Sequence, residues 1–466
     1  MNYFLDPFGC AKNQVDAELI MASLNKALWT AVVDPEAADL IIVNSCGFIE
    51  AAKRESINAV IAWKKLYPQK KILLAGCLTQ RYRKELEESL TEADGFLGCD
   101  EINEAPIKAA KLFKTACDSS TAVAVDVAAT TAASVKDKSR AVLPDSNRGL
   151  RPLLGFAGSA YVKISEGCNN NCSFCAIPLI RGSLRCRSIP DIVEECKQLL
   201  ERGVKELCLI GQDLASYHSL PALLKAIAKL SGDFWVRLLY LHPDHFPINI
   251  LKILDIIAED KHFLPYFDIP FQHASSRILS RMGRKGNAEI YLNLLDSIRT
   301  KLPDAVIRST FLVGFPGETE DDFLELVDFQ KKARFDWLGI FTYSREEGTA
   351  AYSMKGRISK KAVAQRKAVI EEKQIPITEE KMNRFVGRTM DVLVEEVIAP
   401  DNADSPPSGS LWLGRVFCQA PEVDGATVIQ TAAAVSTLPP KPGDMVHGTI
   451  VARRGFDLEL LTPAQI

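Results

Sequence analysis

The stretch Cys168-Asn-Asn-Asn-Cys172-Ser-Phe-Cys175 places three thiols in a C-x-x-x-C-x-x-C loop, which follows the apolar run Tyr161-Val-Lys-Ile164. Thiolates at this spacing can bind one face of a 4Fe–4S cube. Three cysteines leave one iron of the cube without a protein ligand, and an iron with an open position can bind a reactant. The loop therefore predicts a cluster that takes part in a reaction rather than one that only stores electrons.

Zinc binding and disulfide formation are the alternative interpretations of this loop. Zinc usually takes four ligands, often as two C-x-x-C pairs, and neither a second pair nor a histidine pair follows here. Disulfides form in oxidising compartments, but Met1–Asp6 show no basic region ahead of an apolar stretch, so we expect no signal peptide. The 12 cysteines of such a chain favour metal ligation in a reducing cytoplasm.

The length and composition of the chain narrow the class of protein. A chain of 466 residues exceeds one hydrophobic core, so we expect about two to four domains. Hydrophobic residues make up 47% and charged residues 25%, as in soluble globular proteins, and no apolar run is long enough to span a membrane. The net charge of −3 argues against dominant nucleic-acid binding, which usually rests on a basic surface.

The N-terminal part of the chain alternates strand and helix signals. Helical stretches lie at 15–28 and 51–63, between short apolar runs bounded by glycine or polar residues, as buried parallel strands are. This alternation predicts a domain over residues 1–117 that is built on an open parallel α/β sheet. Its expected strands are Tyr3–Phe8, Asp39–Asn44, Lys71–Ala75 and Asp94–Leu97.

Three cysteines, Cys10, Cys46 and Cys77, follow three successive expected strands of this domain. The carboxyl ends of parallel strands meet at one edge of a sheet, where ligands bind. We therefore expect these thiols to converge and to hold a second iron–sulfur cluster. A buried structural role would explain one such cysteine more easily than three in register. For Cys99, which follows the fourth strand, we expect a core or edge position rather than a role as a fourth ligand.

Six strand-like runs alternate with helices in the middle of the chain. A full eight-unit barrel needs about 250 residues, or roughly 31 per unit, so this part of the chain corresponds to about six units. The sequence predicts a partial, TIM-like (β/α)6 barrel within a domain over residues 151–383, with the cysteine loop on its catalytic face. The expected strands are Tyr161–Ile164, Glu206–Ile210, Trp235–Tyr240, Pro265–Ile269, Val306–Val313 and Trp337–Tyr343.

Other residues at expected strand ends belong to the same face as the cysteine loop. Gln212 follows the second strand, and Gly314 and Gly317 follow the fifth, where glycines let the backbone approach a ligand closely; turn formation explains these glycines equally well. The segment Arg181–Arg185 can clamp a carboxylate or simply be solvated. The histidines without metal-like spacing, for which we expect no ligation, are His218, His242, His245, His262 and His447.

After the helical stretch Ser359–Asn383 the pattern changes to short β-type runs broken by glycine, proline and aspartate. Five such runs predict a small antiparallel β-barrel over residues 384–466. The segment between Phe385 and Pro463 contains five basic and ten acidic residues. This balance would repel phosphates and attract a basic protein, or merely keep the surface soluble. Residues 118–150 have weak periodicity and a polar, alanine-rich composition, so we expect a linker or insertion there.

The whole chain resembles the methylthiotransferase family of radical S-adenosylmethionine (SAM) enzymes, and most closely its RimO type, the ribosomal-protein methylthiotransferases. The cysteine loop, with Phe174 before its third cysteine, has the form of the radical SAM signature. The N-terminal part is similar to the family's cluster-bearing domain and the C-terminal part to its TRAM domain. The segments that carry the resemblance are Gly9–Asp16, Ser165–Cys168, Asp268–His273 and Phe315–Glu318.

The resemblance implies two 4Fe–4S clusters, and no catalytic residues beyond their ligands. SAM would serve as radical source and methyl donor, with Gln212, Gly314 and Gly317 as candidate contacts. The implied substrate is the β-carbon of an aspartate in small-subunit ribosomal protein twelve, alone or in the assembled subunit; its C–H bond cannot be ionised by a side chain near pH 7. An external electron donor and a cytoplasmic location belong to the same expectation. The implied cluster ligands are Cys10, Cys46, Cys77, Cys168, Cys172 and Cys175.

Other functions compete with this interpretation. The nearest is methylthiolation of an adenosine in tRNA, but the MiaB-like enzymes of that type usually read Gly-Cys-Gln-Met-Asn where this chain reads Gly9-Cys10-Ala-Lys-Asn13. A non-catalytic iron–sulfur protein, either an electron carrier or a redox sensor, is disfavoured by the open iron and the six-unit barrel. A third alternative is a scaffold that binds ribosomes without catalysing a reaction. In such a protein the strand-end cysteines would be dispensable.

Overall fold

The computed structural model describes residues 1–113, 148–398, 411–430 and 439–463. The N-terminal strands are β1 (Asn2–Pro7), β2 (Thr30–Ala31), β3 (Leu40–Ser45), β4 (Lys71–Gly76) and β5 (Gly95–Gly98), and the helices are α1 (Ala11–Lys26), α2 (Glu50–Leu66), α3 (Cys77–Ser89) and α4 (Ala105–Lys111). They form the predicted open parallel sheet, in the order β2-β1-β3-β4-β5. The sequence did not reveal β2, because its two residues are exposed and too few to show a period.

The central domain is the predicted partial barrel. Six parallel strands form an open sheet: β6 (Ser159–Lys163), β9 (Glu206–Ile210), β10 (Trp235–Leu238), β11 (Phe263–Asp268), β12 (Val306–Val313) and β13 (Trp337–Thr342). Between and after them lie α5 (Ile177–Arg181), α6 (Ile189–Glu201), α7 (Leu220–Ile227), α8 (Ile250–Glu259), α9 (Ser276–Arg281), α10 (Ala288–Lys301), α11 (Glu320–Ala333) and α12 (Lys360–Asn383). A two-stranded ribbon, β7 (Ser165–Glu166) with β8 (Arg185–Cys186), brackets the cysteine loop.

Alternate side chains of these strands serve two different cores, as the two-residue period of a strand requires. On the outer face, Val162 and Leu207 pack with the helices in the largest apolar cluster. On the inner face, Tyr161, Cys208 and Trp235 belong to a cluster that continues into the C-terminal domain. Both faces of the sheet are therefore buried, which explains its continuous apolar sequence.

The C-terminal domain is a closed barrel in the order β14-β15-β16-β18-β17. Four of its five strand pairs are antiparallel, as predicted, and the pair of β16 and β18 is parallel. A closed ring with an odd number of strands must contain at least one parallel pair, because directions cannot alternate all the way round. Its strands are β14 (Thr389–Ile398), β15 (Leu411–Val416), β16 (Thr427–Gln430), β17 (Met445–Arg454) and β18 (Asp457–Leu461).

The connection from β15 to β16, which we call the inserted loop (residues 417–426), enters the open side of the partial barrel. Arg237 donates to the carbonyl of Phe417 (2.8 Å), and Trp337 Nε1 donates to that of Cys418 (2.7 Å). The Tyr266 hydroxyl donates to Asp424 (2.5 Å). The C-terminal domain therefore completes the interior that six strands alone leave open.

The predicted linker at 118–150 falls largely on residues 114–147, which lie outside the described part of the chain. Its last residues, Arg148–Leu150, form a 3-10 turn against α6, and Arg151 follows. The buried Arg151 guanidinium pairs with Glu18 of α1 (2.8 Å) and with Glu195 of α6 (2.7 Å), so this residue holds the first two domains together. Within the described ranges, no helix combines the length and apolar character needed to cross a membrane.

Candidate functional site

The three N-terminal cysteines lie at the carboxyl edge of their sheet. Cys10 immediately precedes α1, Cys46 follows β3, and Cys77 is the first residue of α3. Cys46 is close enough to Cys10 and Cys77 to interact with their charges. The connecting loops approach so closely that a Cβ atom at Gly47 would lie 2.7 Å from the Cys77 carbonyl oxygen, which requires glycine there. The structure thus brings the first predicted set of thiols together.

These thiols have different tendencies to ionise. Burial raises the pKa of Cys46 to about 11, whereas a hydrogen bond from Cys99 and the guanidinium of Arg181 lower the pKa of the buried Cys77. Arg181 Nη2 lies 3.1 Å from Cys77 Sγ. A thiolate is the form that binds metal, so the nearby Arg181 guanidinium favours ligation by Cys77. Cys99 is half-buried and packs beside Cys77, Ala176 and Ile180, in keeping with the core or edge position expected for it.

The second set, Cys168, Cys172 and Cys175, lies on the loop between β7 and α5. Backbone hydrogen bonds hold both ends of the loop, because Cys168 N–H donates to the Gly182 carbonyl (3.1 Å) and Ser173 N–H to that of Met282 (2.9 Å). Phe174 anchors the loop in an apolar cluster beneath it. The loop is therefore fixed by its surroundings, as a preformed ligand set should be.

Both sets fit the cluster that the sequence predicts for them. Burial raises the pKa of Cys168 and raises that of Cys175 to about 12. These thiols would therefore stay protonated unless a bound cation lowered their pKa. Groups of three thiol sulfur atoms suit iron–sulfur clusters and disfavour hard cations such as magnesium. Cys10, Cys46 and Cys77 would hold one cluster, and the loop cysteines the other.

A network of buried charges connects the two sets. Arg181, at the end of α5, pairs with Asp16 of α1 and with Glu166, each at 2.8 Å, in addition to its contact with Cys77. Lys163 binds the same two carboxylates, at 2.5 and 2.6 Å. Arg181 thus clamps carboxylates of the protein itself and is not solvated, while the next residue, Gly182, accepts the hydrogen bond from Cys168. The N-terminal domain is therefore locked onto the carboxyl ends of the barrel strands, which we call the mouth.

The three predicted SAM contacts occupy different surroundings. Gln212 Nε2 lies 3.3 Å from Glu166, and its buried Oε1 has no hydrogen-bond partner among the described residues, so it is free to accept one from a ligand. Gly314 and Gly317 have φ values of +80° and +84°, which favour glycine irrespective of any ligand. A Cβ atom at Gly314 would lie 2.6 Å from Val363 of α12. Backbone conformation and helix packing thus explain the glycines, and contact with SAM stays a prediction for all three residues.

The structure also brings together three residues that the sequence did not connect. Asp213 follows β9, and His242 and His245 follow β10; their ligand atoms all lie within 4.8 Å of one another. His245 Nδ1 is 2.6 Å from Asp213, which also accepts a hydrogen bond from Asn170 of the cysteine loop (3.0 Å). These residues have no metal-like spacing along the chain, so the sequence pattern did not group them. They follow two neighbouring parallel strands, however, and that position could have indicated that they lie close together.

His242 reaches the second set of cysteines directly. Its Nε2 lies 3.8 Å from Cys172 Sγ, while its Nδ1 accepts the Asp244 N–H (3.2 Å). Burial lowers the pKa of His242 far below its usual value, so the ring is neutral. A neutral ring that accepts at Nδ1 carries its proton on Nε2, and His242 therefore donates toward the Cys172 sulfur.

Comparison with known families agrees with this geometry. Residues 2–98 match the family model described as uncharacterized protein family UPF0004, residues 162–329 match the radical SAM superfamily, and residues 386–459 match the TRAM domain. Two solved structures of the radical SAM methyltransferase TsrM from Kitasatospora setae share the fold at 14% and 15% identity, with TM-scores of 0.54 and 0.52. They cover 87% and 75% of this chain, which spans 79% and 76% of theirs.

Three curated relatives match almost the entire chain. They carry the name "Ribosomal protein uS12 methylthiotransferase RimO" and come from Treponema denticola (45% identity, 98% of this chain and 99% of the relative), Thermotoga maritima (37%, 97% and 97%) and Aquifex aeolicus (36%, 97% and 94%). The cofactors of such an enzyme are SAM and 4Fe–4S clusters. The resemblance inferred from the sequence is thereby confirmed: the chain belongs to the RimO family of radical SAM methylthiotransferases.

Proposed function

We propose that this enzyme inserts a methylthio group at the β-carbon of an aspartate in ribosomal protein uS12. The observation that carries the proposal is the physical link between two sets of three thiols from two domains. Arg181 contacts Cys77, and the adjoining Gly182 binds the Cys168 amide. One set alone would serve a radical enzyme; two sets at one mouth suit a reaction that must both create a substrate radical and supply sulfur to it.

The chemistry requires a radical because the β-carbon of aspartate bears an unactivated C–H bond, which acid–base catalysis cannot break near neutral pH. When bound, the cluster on the loop cysteines and SAM together supply the radical that removes this hydrogen. The residues of the chain hold the two clusters, orient the substrate and exclude water from the mouth. The N-terminal domain, locked by Asp16 to Arg181 and Lys163, covers the mouth for this purpose.

The proposal includes an external reducing partner and a cytoplasmic location. An electron must be supplied for each reductive cleavage of SAM, so repeated turnover draws electrons from a donor outside the enzyme. A ribosomal-protein substrate, free or in the assembled small subunit, would be met in the cytoplasm. The name shared by the curated relatives supports uS12 as the partner.

The direct test uses anaerobically reconstituted enzyme with SAM, a reductant and a uS12 peptide that contains the candidate aspartate. We expect mass spectrometry to detect the mass gain of one methylthio group on the peptide. Deoxyadenosine without a modified peptide, together with methylthiolated adenosine when tRNA is added, would replace the proposed substrate by tRNA. Failure to cleave SAM with both clusters loaded would contradict the enzymatic function itself.

His242 is expected to tune the cluster on the loop cysteines. A hydrogen bond to a ligand sulfur stabilises the reduced, more negative state of a cluster. His242→Phe removes that donor, so the reduction potential should fall by roughly 40 mV, which corresponds to about 1 kcal/mol for a one-electron couple. An EPR-monitored redox titration of the loaded protein measures this shift. His218→Phe, at an exposed position, is the matched control; an equal potential in both variants would show that His242 does not act on the cluster.

A further inference from the structure

Lys12 is a largely buried lysine that forms no ion pair with any of the described residues. It lies in the first turn of α1, only 9% exposed, with its Nζ 3.0 Å from the centre of the Tyr240 ring. Among the described residues, no hydrogen bond and no ion pair involves this Nζ. A cation–π contact offsets only part of the cost of removing an ammonium from water. Such a group points to an anion that the folded chain does not itself provide.

The carboxylates near Lys12 are already paired with other cations. Glu166 binds Lys163 and Arg181. Asp268 accepts from Arg308 (3.1 Å) and from the Tyr240 backbone N–H (3.2 Å). Asp16 is likewise shared between Lys163 and Arg181, and Arg308 also pairs with Asp424 (3.4 Å), so each of these three cations binds two carboxylates. Lys12, in contrast, forms no ion pair among the described residues.

The position of Lys12 relates it to both sets of cysteines. On one side it follows Cys10 by two residues, at the start of the same helix. On the other side its partner Tyr240 belongs to the segment after β10 that continues to His242, which contacts Cys172. Tyr240 adopts a left-handed backbone conformation (φ +65°), which is strained for a residue with a side chain. Backbone hydrogen bonds to Asp268 and from Leu214 hold Tyr240 in this conformation, with its ring against Lys12.

We propose that Lys12 binds the side-chain carboxylate of the substrate aspartate and makes the enzyme select aspartate over asparagine. This assignment rests on the proposed function, because an acidic substrate residue brings an anion to the mouth. The β-carbon is directly bonded to the carboxylate carbon, so an ion pair at Lys12 fixes the reacting carbon between the two sets of cysteines. In a site that excludes water, the pair is strengthened by the low local dielectric. An asparagine in its place offers an amide oxygen but no negative charge, so the charge of the ammonium stays unpaired.

The test compares two peptides and three variants of the full, reconstituted protein. The peptides contain either aspartate or asparagine at the target position, and their Kd values are measured by fluorescence anisotropy beside kcat/KM. Lys12→Met removes the charge with little change of volume, Lys12→Arg retains it, and Lys26→Met is the matched exposed control on α1. We expect wild type, Lys12→Arg and Lys26→Met to prefer the aspartate peptide. In Lys12→Met that preference should fall roughly 10- to 100-fold, which corresponds to the free energy of one hydrogen bond to a charged group.

Iron content and SAM cleavage without peptide separate the competing outcomes. If Lys12→Met retains both but loses the aspartate preference, the assignment stands. If it keeps the preference, or if it loses the iron bound by Cys10, Cys46 and Cys77, the assignment is overturned, and in the latter case Lys12 serves the cluster instead. If wild type itself modifies neither peptide, the proposed function fails, and that failure is visible before any variant is compared.

Discussion

Alanine at Cys168 is expected to reduce SAM cleavage to the background of the assay and to abolish methylthiolation with it. The loop cysteines bind one cluster through three sulfur atoms, so loss of one ligand should lower the iron content from about eight to about four atoms per chain. The fold should survive, because the backbone bond from Cys168 to Gly182 does not involve the thiol, which receives only a 3.4 Å hydrogen bond from Asn170. Deoxyadenosine is measured by chromatography and iron by a colorimetric assay.

The matched control for this variant is Cys186→Ser. Cys186 is half-buried in the β7–β8 ribbon, outside both sets, and its backbone pairing with Ser165 is independent of its side chain. It should retain full iron content and deoxyadenosine formation. Residual SAM cleavage in Cys168→Ala, at a rate comparable with the control, would mean that the radical does not originate at this loop.

Alanine at Cys10 is expected to separate the two halves of the reaction. SAM cleavage should continue, since the loop cysteines are untouched, while methylthiolation of the uS12 peptide falls below detection and the iron content again drops to about four atoms per chain. Cys10 suits this experiment because its side chain is exposed, whereas Cys77 is buried against Arg181 and its loss would disturb the charge network as well. In one sample, mass spectrometry of the peptide measures methylthiolation, and chromatography of deoxyadenosine measures SAM cleavage.

Cys99→Ser provides the control for the first set. Cys99 packs beside Cys77, yet we expect it not to be a ligand, so the variant should keep its iron. Loss of iron from Cys99→Ser would make Cys99 a ligand of the cluster. Methylthiolation that persists in Cys10→Ala would contradict the assigned role of the N-terminal set, and would favour a function in which those cysteines are dispensable.

The sequence predicted the fold well wherever a local pattern determines it. Buried parallel strands such as Leu40–Ser45 are short apolar runs, and the residue after each strand is placed by the sheet itself. For this reason the convergence of Cys10, Cys46 and Cys77 could be inferred without any local motif. The same reasoning placed Gln212 on the face of the cysteine loop, but it did not predict the contacts of Asp213 and His242, because side-chain directions in a turn do not follow from periodicity.

What the sequence did not reveal depends on contacts between distant segments. Nothing in the pattern around Lys12 distinguishes a buried, unpaired ammonium from a solvated one, since its isolation results from Arg181, Lys163 and Arg308 occupying the nearby carboxylates. Gly314 similarly suggested a ligand contact, whereas its surroundings are set by Val363, a residue of a helix about fifty positions later. Charge pairing and helix packing are properties of the assembled molecule.

The contact between the C-terminal barrel and the interior of the partial barrel limits how this architecture can be recombined in evolution. Glu206, on the inner face of the barrel, is shared between Arg237 of its own domain and Arg415 of the C-terminal one, and all three side chains are buried. A chimaera with a foreign C-terminal domain would leave a buried carboxylate short of a counter-charge, at a cost of about 3–5 kcal/mol. The C-terminal barrel is therefore not an exchangeable module, and a change of partner specificity must arise by substitution on its outer surface while its contact with the barrel interior is preserved.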